Sequence, residues 1–234
     1  MRTGHRGNDD GTPAGRLSWF KCSCCPPNLA RLIASLHHYL ATSDDHELTI
    51  HQFVSATVQA ELGGTPMTVE LQTDYPWTAA LTATVRAEGE CGLAIRIPDG
   101  LADVTVRLDG VPVPDGSFAD GYVRIRRAWT GTSTLTVDGT IEPQVVHPHP
   151  ALDAVRGTVA LRRGPLVYCI EAVDQAERTV LEDLRVDLGA PVEENGSPLE
   201  EVEVGLTAQG YVLDEPEVLY SSVASRPAST PTTI

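Results

Sequence analysis

Aromatic side chains are scarce in this chain: three Trp, six Tyr and three Phe, or 5% of 234 residues. That counts against a carbohydrate-binding module, which stacks its sugar on a face of exposed rings. Basic residues are few as well, 17 Lys and Arg against 32 Asp and Glu, giving a formal charge of -15. An acidic surface repels phosphate backbones and anionic headgroups, so nucleic acid and membrane are excluded as main partners. No apolar run has the length of a transmembrane helix. No secretory leader is read in the polar, glycine-rich first residues, and the expectation is a cytoplasmic protein. There is no internal repeat and no disulfide framework: the five cysteines are odd in number, and three of them crowd into four positions. Crowded thiols in a chain without other disulfide signs point to a reducing compartment and to metal or thiolate chemistry.

What is present begins with that crowd, Trp19-Phe20-Lys21-Cys22-Ser23-Cys24-Cys25-Pro26-Pro27-Asn28. Residues 1–18 read as loop. Proline suits the first turn of a helix, and Leu29, Leu32, Ile33, Leu36 and Leu40 then recur at helical spacing. The spacing predicts a helix over 27–41, ending before Ser43-Asp44-Asp45. Cys24 and Cys25 would sit just ahead of its N-terminus, where unpaired N–H groups and the positive end of the dipole favour a thiolate. From residue 46 the period changes to two. Leu48 and Ile50, then segments 58–62, 67–71, 81–85, 93–97, 104–108, 111–113, 122–126 and 135–137, alternate as strands. Gly63-Gly64, Pro98-Asp99-Gly100 and Asp109-Gly110 fall between them as turns. Asp-Gly between alternating strands is a strong hairpin signal, and short strands at regular spacing indicate a β-sandwich. Residues 142–156, with Pro143, Pro148 and Pro150, read as a crossing linker. A second β-rich segment follows, at 158–161, 166–170, 180–186 and 201–206. Residues 221–234 have the Ser/Thr/Pro composition of a disordered tail.

Three readings of the cysteine cluster compete: buried small hydrophobes, metal ligands, or a thiolate nucleophile. Burial suits the isolated Cys91 and Cys169, each within a strand pattern. It suits three thiols beside a Pro-Pro turn poorly. A structural zinc site needs a second ligand pair at knuckle spacing, and none is found, so the cluster supplies at most part of a metal site. The Cys22…Cys25 spacing fits a redox motif, but no βαβ unit surrounds it. Elsewhere, Glu193-Glu194 and Glu200-Glu201 read as solvated loop charges, and His147 and His149 as polar linker residues. Trp77, Trp129 and Tyr122 read as packing residues rather than a sugar platform.

The run Trp19-Phe20 with Cys-Ser-Cys-Cys-Pro-Pro-Asn-Leu-Ala-Arg at 22–31 resembles the signature of glycoside hydrolase family 127, the β-L-arabinofuranosidases. Leu71-Gln72-Thr73-Asp74-Tyr75-Pro76-Trp77, Leu93-Ala94-Ile95-Arg96-Ile97-Pro98, Gly121-Tyr122-Val123 and Arg163-Gly164-Pro165-Leu166-Val167-Tyr168-Cys169 resemble later stretches of that family in the same order. The resemblance implies an (α/α)6 catalytic barrel followed by β-sandwich domains. It implies removal of terminal β-L-arabinofuranose with retention of configuration by a zinc-bound cysteine thiolate in place of the usual carboxylate. Cys24 matches the nucleophile and zinc ligand, and Cys25 the adjacent zinc ligand. Cys22 has no role to carry over.

The same resemblance implies that the acid/base glutamate and two further zinc ligands, a glutamate and a cysteine, lie upstream of the motif. Residues 1–18 contain no Glu. The expectation is therefore the C-terminal portion of such an enzyme, a fragment without glycosidase activity that would bind an arabinofuranoside-type carbohydrate, and zinc, only with the missing N-terminal barrel. The expected organisation is mainly β: a barrel remnant at 1–45, a β-sandwich at 46–142, a second at 143–220 and a disordered tail at 221–234, with a homo-oligomer allowed. Competing functions are a non-catalytic carbohydrate-binding sandwich and an interaction module in which the cysteines hold zinc for stability.

Overall fold

The computed structural model describes residues 24–171, 175, 184–196, 202–212 and 232–233. Trp19, Phe20, Cys22, Glu200, Glu201 and the 221–231 part of the expected tail lie outside the described residues. The chain is mainly β, with one α-helix among the described residues.

That helix, α1 (Cys25–Ala34), is shorter than the leucine spacing predicts, and it begins at Cys25 rather than after it. Ser35 explains the early end. Its Oγ donates to the carbonyls of Arg31 (2.9 Å) and Leu32 (3.3 Å), and its own N–H bonds to the same two. Acceptors that a further turn would use are thereby occupied. The chain tightens into a short 3-10 turn over Leu36–Tyr39 and enters β1 (Ala41–Ser43). Asp44 makes the next corner, its carboxylate accepting the backbone N–H groups of His46 (2.7 Å) and Glu47 (2.8 Å).

The strands that follow are β2 (Glu47–Ile50), β3 (Ala56–Leu62), β4 (Thr65–Gln72), β5 (Leu81–Arg96), β6 (Ala102–Leu108), β7 (Val111–Pro112), β8 (Phe118–Ala119) and β9 (Tyr122–Thr140). Two pairs of segments that the sequence separates are single strands. Residues 81–85 and 93–97 join as β5, of 16 residues, and 122–126 and 135–137 join as β9, of 19. The alternation lapses at 88–90, where side chains are exposed on consecutive residues, yet the backbone pairing runs on from Leu81↔Val137 to Arg96↔Tyr122. This long ribbon organises the domain. Its 82–87 end pairs with β4, and β4 with β3; its 92–95 end pairs in parallel with β2, and β2 with β1. β6 and β8 pair with β9. The expected Asp109-Gly110 hairpin joins β6 to β7 with both residues at positive φ, 51° and 80°, the geometry of a type I′ turn. One core gathers Leu48 and Ile50 from β2, Met67, Val69 and Leu71 from β4, Leu81, Val85, Leu93 and Ile95 from β5, and Val123, Trp129, Leu135 and Val137 from β9.

The expected linker over 142–156 is a strand in its first part. β10 (Pro143–Val146) pairs with β11 (Ala160–Arg163), which pairs with β12 (Leu166–Tyr168). Pro143 stands at the strand's first residue, where its missing N–H is tolerated. β13 (Leu184–Val186), β14 (Glu193–Gly196), β15 (Val204–Thr207) and β16 (Gln209–Val212) form two further small sheets, β13 with β16 and β14 with β15. β17 (Thr232–Thr233) pairs with Gly210 and Gln209 of β16, so this part of the tail expected to be disordered is a strand.

The buried Arg163 ties this part to the preceding sandwich. Its Nε donates to Glu194 Oε1 at 2.7 Å, and its Nη1 donates to the Pro76 carbonyl at 3.0 Å. Beside it the backbones touch: a Cβ added at Gly100 would stand 2.8 Å from Gly164 Cα. Glu194 is thus a strand residue in an ion pair, not the solvated loop charge expected from sequence.

Candidate active site

Cys24 caps α1 with helical φ and ψ (-67°, -35°), and Cys25 is its first residue. Pro26 and Pro27 follow, where φ near -65° suits the first turn and a missing N–H costs nothing. The Cys24 carbonyl accepts the Asn28 N–H at 3.2 Å, which closes that turn. Both cysteines are exposed, and their Sγ atoms stand 3.7 Å apart, in contact but not bonded to each other. The Cys24 side chain makes no capping hydrogen bond, and the first turn of α1 carries no acid. The apolar stripe behind the pair faces outward: Leu29 and Ile33 are 58% and 64% exposed, and no residue of α1 is buried.

Thiolates suit zinc, and Cys24 and Cys25 are the residues here that could ligate it. Two donors are half of a closed tetrahedral set. Among the described residues no three His, Cys, Asp or Glu side chains come together as a metal site requires. The His37 and His38 rings lie with centroids 3.9 Å apart and tilted by 44°, well along the chain from the pair. His149 Nδ1 accepts the Ala151 N–H in a loop, as a polar linker residue would.

The other thiols differ from this pair. Cys91 is buried in β5, as expected, and burial raises its thiol pKa above the ordinary value. Cys169 corrects the expectation: it is exposed just past β12, with its Sγ 4.0 Å from Glu171 Oε1. It continues the outward face of β12, on which Val167 is exposed, while Leu166 and Tyr168 take the half-buried face.

Sequence reasoning did not find the joint that holds α1 to the sandwich. The His51 N–H donates to the Leu40 carbonyl at 2.8 Å. Its ring lies 2.9 Å from Thr42 Oγ1 through Nε2 and 2.9 Å from Tyr122 OH through Nδ1. The Arg124 guanidinium rests 5.4 Å from the Tyr122 ring centre and is paired with Glu47. A histidine one residue past a strand carries no local signal; the register of β2 and β9 creates the contact. Trp129 is a packing residue, as expected, 2% exposed with its Nε1 donating to the Cys91 carbonyl at 2.9 Å. Trp77 is half-buried, and the Tyr122 OH is engaged by His51.

Two family models match, "Beta-L-arabinofuranosidase, GH127 middle domain" over residues 47–140 and "Glycoside hydrolase family 127 C-terminal domain" over 143–218. The chain is 34% identical over 167 residues to a non-reducing end β-L-arabinofuranosidase of Bifidobacterium longum subsp. longum; the match covers 68% of this chain and 25% of that protein. A family 127 β-L-arabinofuranosidase from Geobacillus stearothermophilus T6 shares its fold at a TM-score of 0.83 and 32% identity, over 97% of this chain and 37% of that one. A further glycoside hydrolase structure matches in fold at a TM-score of 0.80 and 22% identity, over 94% of this chain and 39% of that one. The chain thus spans between a quarter and two fifths of the length of these relatives.

Proposed function

This chain belongs to glycoside hydrolase family 127, and we propose that it forms the C-terminal part of a retaining hydrolase that releases terminal β-L-arabinofuranose through the thiolate of Cys24. The observation that carries the reading is the exposed Cys24–Cys25 pair at the start of a helix. Relatives named β-L-arabinofuranosidase give the sugar. Cys24 Sγ attacks the anomeric carbon as the glycosidic C–O bond breaks, and water then displaces the sulfur, so two inversions give retention. Cys25 is the proposed neighbouring zinc ligand. Zinc would hold a bound sulfur in its thiolate form, and Cys24 and Cys25 would supply two of the donors its site needs.

Cleavage also requires a proton for the departing oxygen. The first turn of α1 carries no acid, so activity is proposed for the family-length protein and none for this chain alone. The test is release of nitrophenol from p-nitrophenyl β-L-arabinofuranoside by the pure 234-residue chain, alongside iodoacetamide labelling read by peptide mapping. Background hydrolysis with Cys24 labelling ahead of Cys91 is expected. Turnover by the chain that Cys24→Ser abolishes would overturn the inactivity and keep the nucleophile. Turnover that survives Cys24→Ser would overturn the nucleophile.

A further inference from the structure

The geometry points to a second chemistry at the same pair: Cys24 and Cys25 form a dithiol chelating site for trivalent arsenicals. It needs neither zinc nor catalysis, because two thiols within reach of one soft atom suffice. Their sulfurs are 3.7 Å apart on adjacent, exposed residues. A direct S–S bond between neighbours is strained, since consecutive Cα atoms lie closer than a disulfide's usual span. Inserting one larger atom between the sulfurs relieves that constraint, and soft thiolates select soft acceptors. Pro26 and Pro27 fix the backbone just after the pair, so little freedom is lost on closing the ring.

The step is a condensation without redox change. Hydrated phenylarsine oxide carries two hydroxyls on trivalent arsenic. Each As–O bond breaks as an As–S bond forms, each thiol proton leaves with a hydroxyl as water, and arsenic stays trivalent. Of the other described cysteines, Cys91 is buried, and Cys169 offers a single sulfur beside a carboxylate. A single As–S bond exchanges with any excess monothiol. Two bonds to one arsenic make the second event intramolecular and resist that exchange.

The experiment uses the whole chain, reduced with a phosphine, stripped of metal with EDTA, and mixed with one equivalent of phenylarsine oxide under excess 2-mercaptoethanol. Intact-mass spectrometry is expected to show one phenylarsenic adduct per chain, removed by 2,3-dimercaptopropanol. Cys24→Ser and Cys25→Ser should each lower the monothiol resistance of the adduct by roughly a hundredfold, while Cys22→Ser and Cys169→Ser leave it intact. An adduct that persists in Cys24→Ser or Cys25→Ser, or is lost in Cys22→Ser, overturns the site. Mass rather than turnover is the readout, so this inference and the glycosidase reading fail separately.

Discussion

Leu32 and Leu93 are the same side chain in two equally periodic segments, and they end in opposite environments. Leu93 on β5 is 1% exposed, packed in the sandwich core; Leu32 on α1 is 48% exposed. Apolar periodicity therefore fixes which element forms but not whether its apolar face is covered. In the sandwich the covering is supplied within the domain, because β4 and β2, paired to opposite ends of β5, contribute to one core with β5 and β9. In α1 it is not, and among the described residues the segment after the helix is tied to the sandwich by Leu40, Thr42 and His51. One region carries the stability and the other carries the thiols.

Matched substitutions sharpen that contrast most. Leu93→Ala removes a fully packed side chain and should cost about 3 kcal/mol of unfolding free energy. Leu32→Ala should stay within about 0.5 kcal/mol, as surface changes do. Urea denaturation of the two variants measures both; equal losses would mean that α1 shares the sandwich's cooperative unit. Next in size is Arg163→Ala at the seam between the sandwich and the following sheets. It strands the Pro76 carbonyl and the Glu194 carboxylate. Glu194 is about one-third exposed, so water screens part of the loss, and about 2 kcal/mol is expected. Arg163→Lys should recover only part of it, because an ammonium cannot reproduce the two-way fork.

The helix, most strands and the Asp109-Gly110 hairpin were legible because each is coded locally, by period or by turn residue. The reading failed where pairing overrode local signals. Residues 88–90 break the alternation, yet β5 continues through them because β9 supplies partners on one side throughout. Proline at 143 suggested a linker, yet its position at the end of β10 needs no N–H there. Ser35 ended α1 early through side-chain bonds that a hydrophobic period does not register. Within the candidate site, crowding of the thiols was visible in sequence, but their contact was not. The His51–Tyr122 bond spans 71 positions and depends on sheet register alone.

That bond is the next test of the attachment. His51→Ala removes a ring held at both nitrogens between Thr42 and Tyr122 and should cost about 1 kcal/mol. Its distinguishing effect is local: amide exchange should quicken over 36–43 more than over 81–96. Uniform acceleration would show that the joint belongs to the core rather than to the hinge between the regions.

Asp44 gives the smallest effect and the one with a pH signature. It lies at the corner between β1 and β2, fully exposed, and the backbone N–H groups of His46 and Glu47 hold its carboxyl below the ordinary value of 3.8. A carboxyl with a depressed folded-state pKa contributes stability that is present above its unfolded value and is lost as pH falls through the folded one. Asp44→Asn keeps an oxygen to accept those bonds but cannot titrate. The difference in melting temperature between the two proteins should hold steady from about pH 7 to about pH 5, then shrink toward zero below about pH 4. A difference that stays constant into acid would assign the corner's worth to turn geometry instead of charge. The two regions would then be joined by shape at Asp44 and by hydrogen bonds at His51.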